Sequence, residues 1–174
     1  MKTVTVVPTG ASEIAREDAS MPDELPSSQT TATTLLSGQQ GVWSWEGNIQ
    51  SVLASWLKSQ GFAIDRVANT ASREQGKDIV AVAPKGTTLW VSVKGLPTGT
   101  KPYTQARHWF SSAVFDLVLY RDERSDVDLA LAFPDGFPTY KALAARLNAF
   151  RRVMPFTIYW VSASGTVRAD SGRG

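Results

Sequence analysis

All six tryptophans, all seven phenylalanines and all four tyrosines of this 174-residue chain lie beyond residue 42. A segment without aromatic side chains buries too little apolar area to offset the entropy lost on ordering it. Residues 1–42 are rich in Ser, Thr and Pro instead, as in Pro26-Ser27-Ser28-Gln29-Thr30-Thr31-Ala32-Thr33-Thr34. They read as a disordered leader, with a short helix around Ser12–Asp18 as its one regular feature. No motif marks the leader as a targeting or partner-binding arm, so a flexible extension is the simpler reading. The fold is therefore expected from residues 43–174, which are enough for one domain with a single sizeable core.

Composition removes several chemistries. The chain has no cysteine, and His108 is its single histidine. Disulfide frameworks, thiolate sites, cysteine nucleophiles and multi-histidine zinc sites are thereby excluded. No apolar run approaches the roughly 18 residues that cross a bilayer. The apolar patch at the start, Val4 to Val7, is too short for a secretory segment. The expectation is a soluble, reduced, cytoplasmic protein with no membrane partner.

Periodicity beyond residue 42 predicts an α/β domain without internal repeats. A helix fits 44–60: Ser44 can cap it, Trp45, Ile49, Val52, Leu53, Trp56 and Leu57 recur at helical spacing, and Gly61 stops it. Strands fit 62–68, 78–83 and 88–94, the last two joined by the turn signal Pro84-Lys85-Gly86. A helix fits 103–120 with Ala106, Phe110, Ala113, Val114, Leu117 and Val118 on one stripe, followed by a strand at 127–133, a helix at 139–151 and a strand at 155–162. The order α-β-β-β-α-β-α-β, with a hairpin first and crossovers later, implies a mixed sheet flanked by helices.

The hairpin carries the chemically informative pair. Asp78 lies eight residues before Gly86 and Lys94 eight after it, so a turn centred on Gly86 brings them within about one register step. Alternation puts Trp90, Ser92 and Lys94 on one face of the strand and Leu89, Val91 and Val93 on the other. A plain cross-strand ion pair is the structural reading. Glu46 adds a carboxylate two helical turns before Leu53, bordering the stripe that packs on the sheet. Two carboxylates and a lysine suit metal-assisted phosphodiester hydrolysis: hard oxygen donors hold Mg²⁺ (or Mn²⁺), and the lysine orients water or stabilises charge on phosphorus. No histidine or cysteine is needed.

These residues resemble the PD-(D/E)xK nuclease superfamily, also called restriction endonuclease-like. The resemblance rests on Trp45-Glu46-Gly47, Trp56-Leu57 and Gly61-Phe62, then Gly76-Lys77-Asp78-Ile79-Val80, then Trp90-Val91-Ser92-Val93-Lys94-Gly95, and it covers roughly residues 43–120. It implies a restriction endonuclease-like fold, Asp78 and Glu46 as metal ligands, Lys94 as the catalytic lysine, and Gln105 as a further active-site polar residue. It also implies a metal-dependent DNA endonuclease, in repair, recombination or defence, acting as a homodimer or beside a partner that supplies specificity. The sequence departs from the family's pattern at Ser92, where a second acid is expected. Where the following helix would restore that acid the chain has Arg107 and His108, and the next acid, Asp116, lies more than two helical turns beyond Gln105. Either Glu46 and Asp78 suffice with waters and phosphate oxygens, or the domain is a non-cleaving DNA-binding or assembly subunit of the same fold.

Charge points to the same partner. The formal net charge of +2 averages a leader with two cations and five acids against a domain with sixteen cations and eleven acids. Seven cations lie between residues 66 and 107 against Glu74 and Asp78. Among them Arg73, Lys77, Lys101 and Arg107 border the proposed site and are expected to contact DNA phosphates. His108 reads as a surface or half-buried polar residue, Trp43, Trp45 and Trp56 as packing rather than base-stacking residues, and Asp122, Glu123, Asp126 and Asp128 as a solvated acidic loop. No complete phosphate-binding Walker pattern, dinucleotide glycine motif or serine-hydrolase elbow is present.

Overall fold

Helix α1 (Glu46–Ser59) forms because Ile49, Leu53 and Leu57 repeat every four residues, and all three are fully buried with Ala54 beside them. In this computed structural model, which describes residues 42–72 and 76–172, Trp45 rather than Ser44 occupies the N-cap position, with no side-chain cap. Ser44 is spent otherwise: its carbonyl accepts the Leu96 N–H at 2.9 Å. The helix ends as its glycine predicts. Gly61 has φ +85°, its N–H donates to the Lys58 carbonyl, and the Phe62 N–H donates to the Leu57 carbonyl. The leader expected over 1–42 and its Ser12–Asp18 helix lie outside the described residues, Val42 excepted.

Six strands form one mixed sheet in the spatial order of the chain: β1 (Ala63–Val67), β2 (Ile79–Val82), β3 (Thr88–Val93), β4 (Asp128–Pro134), β5 (Thr157–Val161) and β6 (Val167–Asp170). The pairs β1–β2, β2–β3 and β5–β6 are antiparallel; β3–β4 and β4–β5 are parallel. Helix α2 (Pro102–Glu123) makes the first parallel crossover. The second runs through α3 (Pro138–Ala144), a 3₁₀ turn (Ala145–Leu147) and α4 (Asn148–Val153), where the sequence suggested one helix. Strand β6 went unanticipated: Val167-Arg168-Ala169-Asp170 lacks a clear apolar alternation and forms an edge.

Two cores sandwich the sheet. On one face α1 covers Ile79, Leu89, Val91, Val93, Ala130 and Ala132. On the other, Ala106, Phe110, Ala113, Leu117 and Tyr120 of α2 cover Trp90, Leu129, Leu131 and Phe133. The alternation expected for β3 is thus observed. Strand β4 is buried on both faces, which explains its unbroken apolar run. Val118, expected on the buried stripe of α2, is 41% exposed, because Leu117 and Tyr120 already fill that face.

The hairpin turn is centred one residue earlier than expected. Ala83 and Thr87 close a three-residue loop, with Gly86 at φ +89°, and Ile79 pairs with Val91. Asp78 therefore stands across from Ser92, and Lys94 lies diagonally beyond it.

Candidate active site

Asp78 sits immediately before β2 and is held by backbone at both ends. Its N–H donates to the Val91 carbonyl at 3.1 Å, and its Oδ2 accepts the Val93 N–H at 2.6 Å. The residues before it are tied to α2: the Tyr120 hydroxyl donates to the Gly76 carbonyl at 3.3 Å. Lys94 follows β3, and its N–H donates to the Ala132 carbonyl of β4 at 3.0 Å. The Lys94 Nζ stands 3.9 Å from Asp78 Oδ2. The two residues share the site, as diagonal rather than opposed neighbours.

Glu46 arrives because the chain after Lys94 touches the start of α1. A Cβ at Gly95 would lie 2.7 Å from the Ser44 carbonyl oxygen and 2.8 Å from the Glu46 nitrogen, so only glycine permits the approach. Tyr140, fully buried, donates to the Gly95 carbonyl at 2.9 Å and anchors the same point from α3. Burial pushes the Glu46 carboxyl up to about 7; Lys94 opposes this, while Asp78 and Asp116 add to it. Burial likewise raises Asp78, against the pull of Lys94 and the Val93 N–H. Glu46, Asp78 and Lys94 therefore feel one another electrostatically at one end of the sheet.

Asp116 joins them, which corrects the expectation that no downstream acid reaches the site. Its Oδ2 accepts the Ser92 hydroxyl at 2.8 Å and lies 3.7 Å from Lys94 Nζ. Ser92, across the hairpin from Asp78, is thus bonded to a carboxylate from α2. A sequence signal existed. Gln105, Trp109, Ser112 and Asp116 repeat at helical spacing, one position before the buried stripe Ala106, Phe110, Ala113 and Leu117. Gln105 shares that face but stands eleven residues from Asp116, about 16 Å along the axis. Its Oε1 lies beside Gly99, in the loop that leads from Lys94 into α2.

The expected DNA contacts divide. Lys101, at the N-cap of α2, and Arg107, on its outer face, are exposed. Lys77 is not offered to solvent: its ammonium pairs with Glu123 and lies 4.1 Å over the Trp90 ring. Arg73 falls outside the described residues. Trp56 packs on Tyr159, as expected, but Trp43 and Trp45 join neither core. His108 is exposed, and in the acidic loop Glu123 and Asp126 are paired with Lys77 and Arg124.

The donors available to a metal are hard carboxylate oxygens. One oxygen of Asp78 is taken by the Val93 N–H, leaving Oδ1, and Glu46 offers its own pair. Among the described residues no three acidic, histidine or cysteine side chains form a closed cage. Mg²⁺ in general takes one or two carboxylates and completes its shell with water and phosphate oxygens. No known family model matches the chain, and no curated protein matches it.

Proposed function

We propose that the protein is a Mg²⁺- or Mn²⁺-dependent DNA endonuclease of the restriction endonuclease-like type, serving DNA repair, recombination or defence. One observation carries this reading: the Asp78 and Asp116 carboxylates stand 3.9 and 3.7 Å from the Lys94 ammonium, and Glu46 lies close enough for all three charges to act on its carboxyl. Three acids against one base leave an excess negative charge that burial makes unfavourable. A divalent cation relieves it.

Glu46 and Asp78 would hold the cation. Bound there, it would neutralise phosphate charge and lower the pKa of water. Lys94, positioned between Asp78 and Asp116, would orient the attacking water and then donate to a non-bridging phosphate oxygen as charge builds. Water oxygen bonds to phosphorus as the phosphorus–oxygen bond to one sugar breaks. The products are a phosphate monoester and a sugar hydroxyl, with one proton released to solvent.

The test is nicking of supercoiled plasmid with Mg²⁺ or Mn²⁺. Nicking by the parent chain that is lost in both Asp78→Ala and Lys94→Ala supports the enzyme. A second reading, a non-cleaving DNA-binding subunit, draws on the contacts of Lys94 with both Asp78 and Asp116, which a purely structural ion-pair network would also show. DNA binding without cleavage under either metal would favour it.

A further inference from the structure

A small pocket adjoins the candidate active site, with Glu46 in its wall. It encloses about 170 Å³ and is walled by Trp45 from the N-cap of α1 and Trp109 from α2. Both tryptophans are half-buried and lie outside the two cores. Trp45 is held in place. Its six-membered ring folds over Gly47, where an added Cβ would come within 2.1 Å of the ring. Thr70 also lines the pocket; its hydroxyl donates to Gln50 at 2.9 Å, leaving its oxygen free to accept.

We propose that this pocket takes one unstacked nucleobase of the strand whose phosphate occupies the site at Glu46, Asp78 and Lys94, so that the substrate is single-stranded or locally unpaired DNA. The inference rests on the proposed nuclease reading for the position of that phosphate. Size supports it: an apolar cavity of about 150 Å³ holds one benzene ring, so this pocket admits one ring of pyrimidine size and excludes a base pair. Chemistry supports it as well, because indole walls stack on any base, and a half-buried aromatic slot is how sequence-tolerant single-strand sites gain affinity. A base within a duplex would first have to be unstacked and unpaired, which costs binding energy that a single strand does not spend. Finally, the base slot and the phosphate site share Glu46, and a base and its flanking phosphate are likewise neighbours.

Binding and cleavage are read separately. Fluorescence anisotropy of the full chain, without divalent metal, compares a single-stranded oligonucleotide with its duplex and with a set carrying one abasic position each. The expected result is single-strand binding on the order of tenfold tighter than duplex binding, a loss of similar size at one abasic position, a comparable loss in Trp109→Ala, and recovery in Trp109→Phe. Equal affinity for single strand and duplex, together with indifference to every abasic position, would overturn the proposal. The abasic series uses the parent protein, so it decides even where Trp109→Ala fails to fold. Plasmid nicking with intact single-strand binding in Trp109→Ala sinks the pocket and spares the nuclease. Base-dependent binding with no cleavage of either plasmid or the single-stranded oligonucleotide in Mg²⁺ or Mn²⁺ does the reverse.

Discussion

Glu46 gives the site its pH dependence. Its carboxyl titrates near 7 in the folded chain, against an unfolded value of about 4.3. Between those values the folded state holds a proton that the unfolded state has released. Stability therefore falls as pH rises through that window, the opposite of the usual effect of a paired carboxylate. A divalent cation needs the carboxylate form, so its binding strengthens as pH climbs towards 7. Thermal unfolding scans across this range should show a declining Tm without metal and a Mg²⁺- or Mn²⁺-induced rise that grows with pH. Glu46→Gln should weaken both trends, leaving the part that Asp78, also raised by burial, contributes. Asp116→Asn should shift the window to lower pH, because Asp116 is one of the charges that raise Glu46; an unmoved window would detach Asp116 from the site. Glu46, Asp78 and Lys94 were legible in the sequence because strand and helix periodicity place them. Asp116 is less legible, because linear distance from Gln105 hides what the helix repeat brings round to Ser92.

At the scale of elements, one contact joins the two halves of the site. The chain leaving β3 presses against the start of α1, and Gly95 meets Ser44 and Glu46 with backbone atoms on both sides, so neither side can yield as a side chain could. Gly95→Ala should destabilise the protein by roughly 1–3 kcal/mol, the usual cost of overpacking. It should also move Glu46 away from Lys94. Denaturant unfolding gives the first effect. The second appears as weaker Mn²⁺ binding under conditions where the variant is fully folded; unchanged metal affinity would show that the contact is only structural. The elements themselves were readable where length and period were strong, as in α1, α2 and the doubly buried β4. The hairpin centre slipped by one residue because Pro84-Lys85-Gly86 signals a turn without stating its length. The break after Ala144 and the edge strand β6 depend on tertiary packing around Arg151, whose guanidinium bonds Phe156 and Asp170 at 3.1 Å.

At the scale of the whole molecule, the basic excess of residues 43–174 overstates what a nucleic acid would meet. Five cations among the described residues, Lys77, Lys94, Arg124, Lys141 and Arg151, already stand against carboxylates. Lys94 would still reach the scissile phosphate, but Lys77 and Arg151 are turned inward. Lys101 and Arg107 are the exposed described members of the set expected to contact phosphates. Three phosphate contacts then predict a logarithmic salt slope of about −2 for a single strand, since each contact contributes about −0.7. Anisotropy titrations at increasing KCl measure this slope directly. Lys101→Ala and Arg107→Ala should each flatten it by somewhat less than one. A slope steeper than about −5 would instead mean that many more cations engage the backbone. On the proposed reading, a shallow slope also fixes where affinity must come from: with few phosphates held, the slot between Trp45 and Trp109 has to supply the remainder, and binding should persist at salt concentrations that release a purely electrostatic ligand.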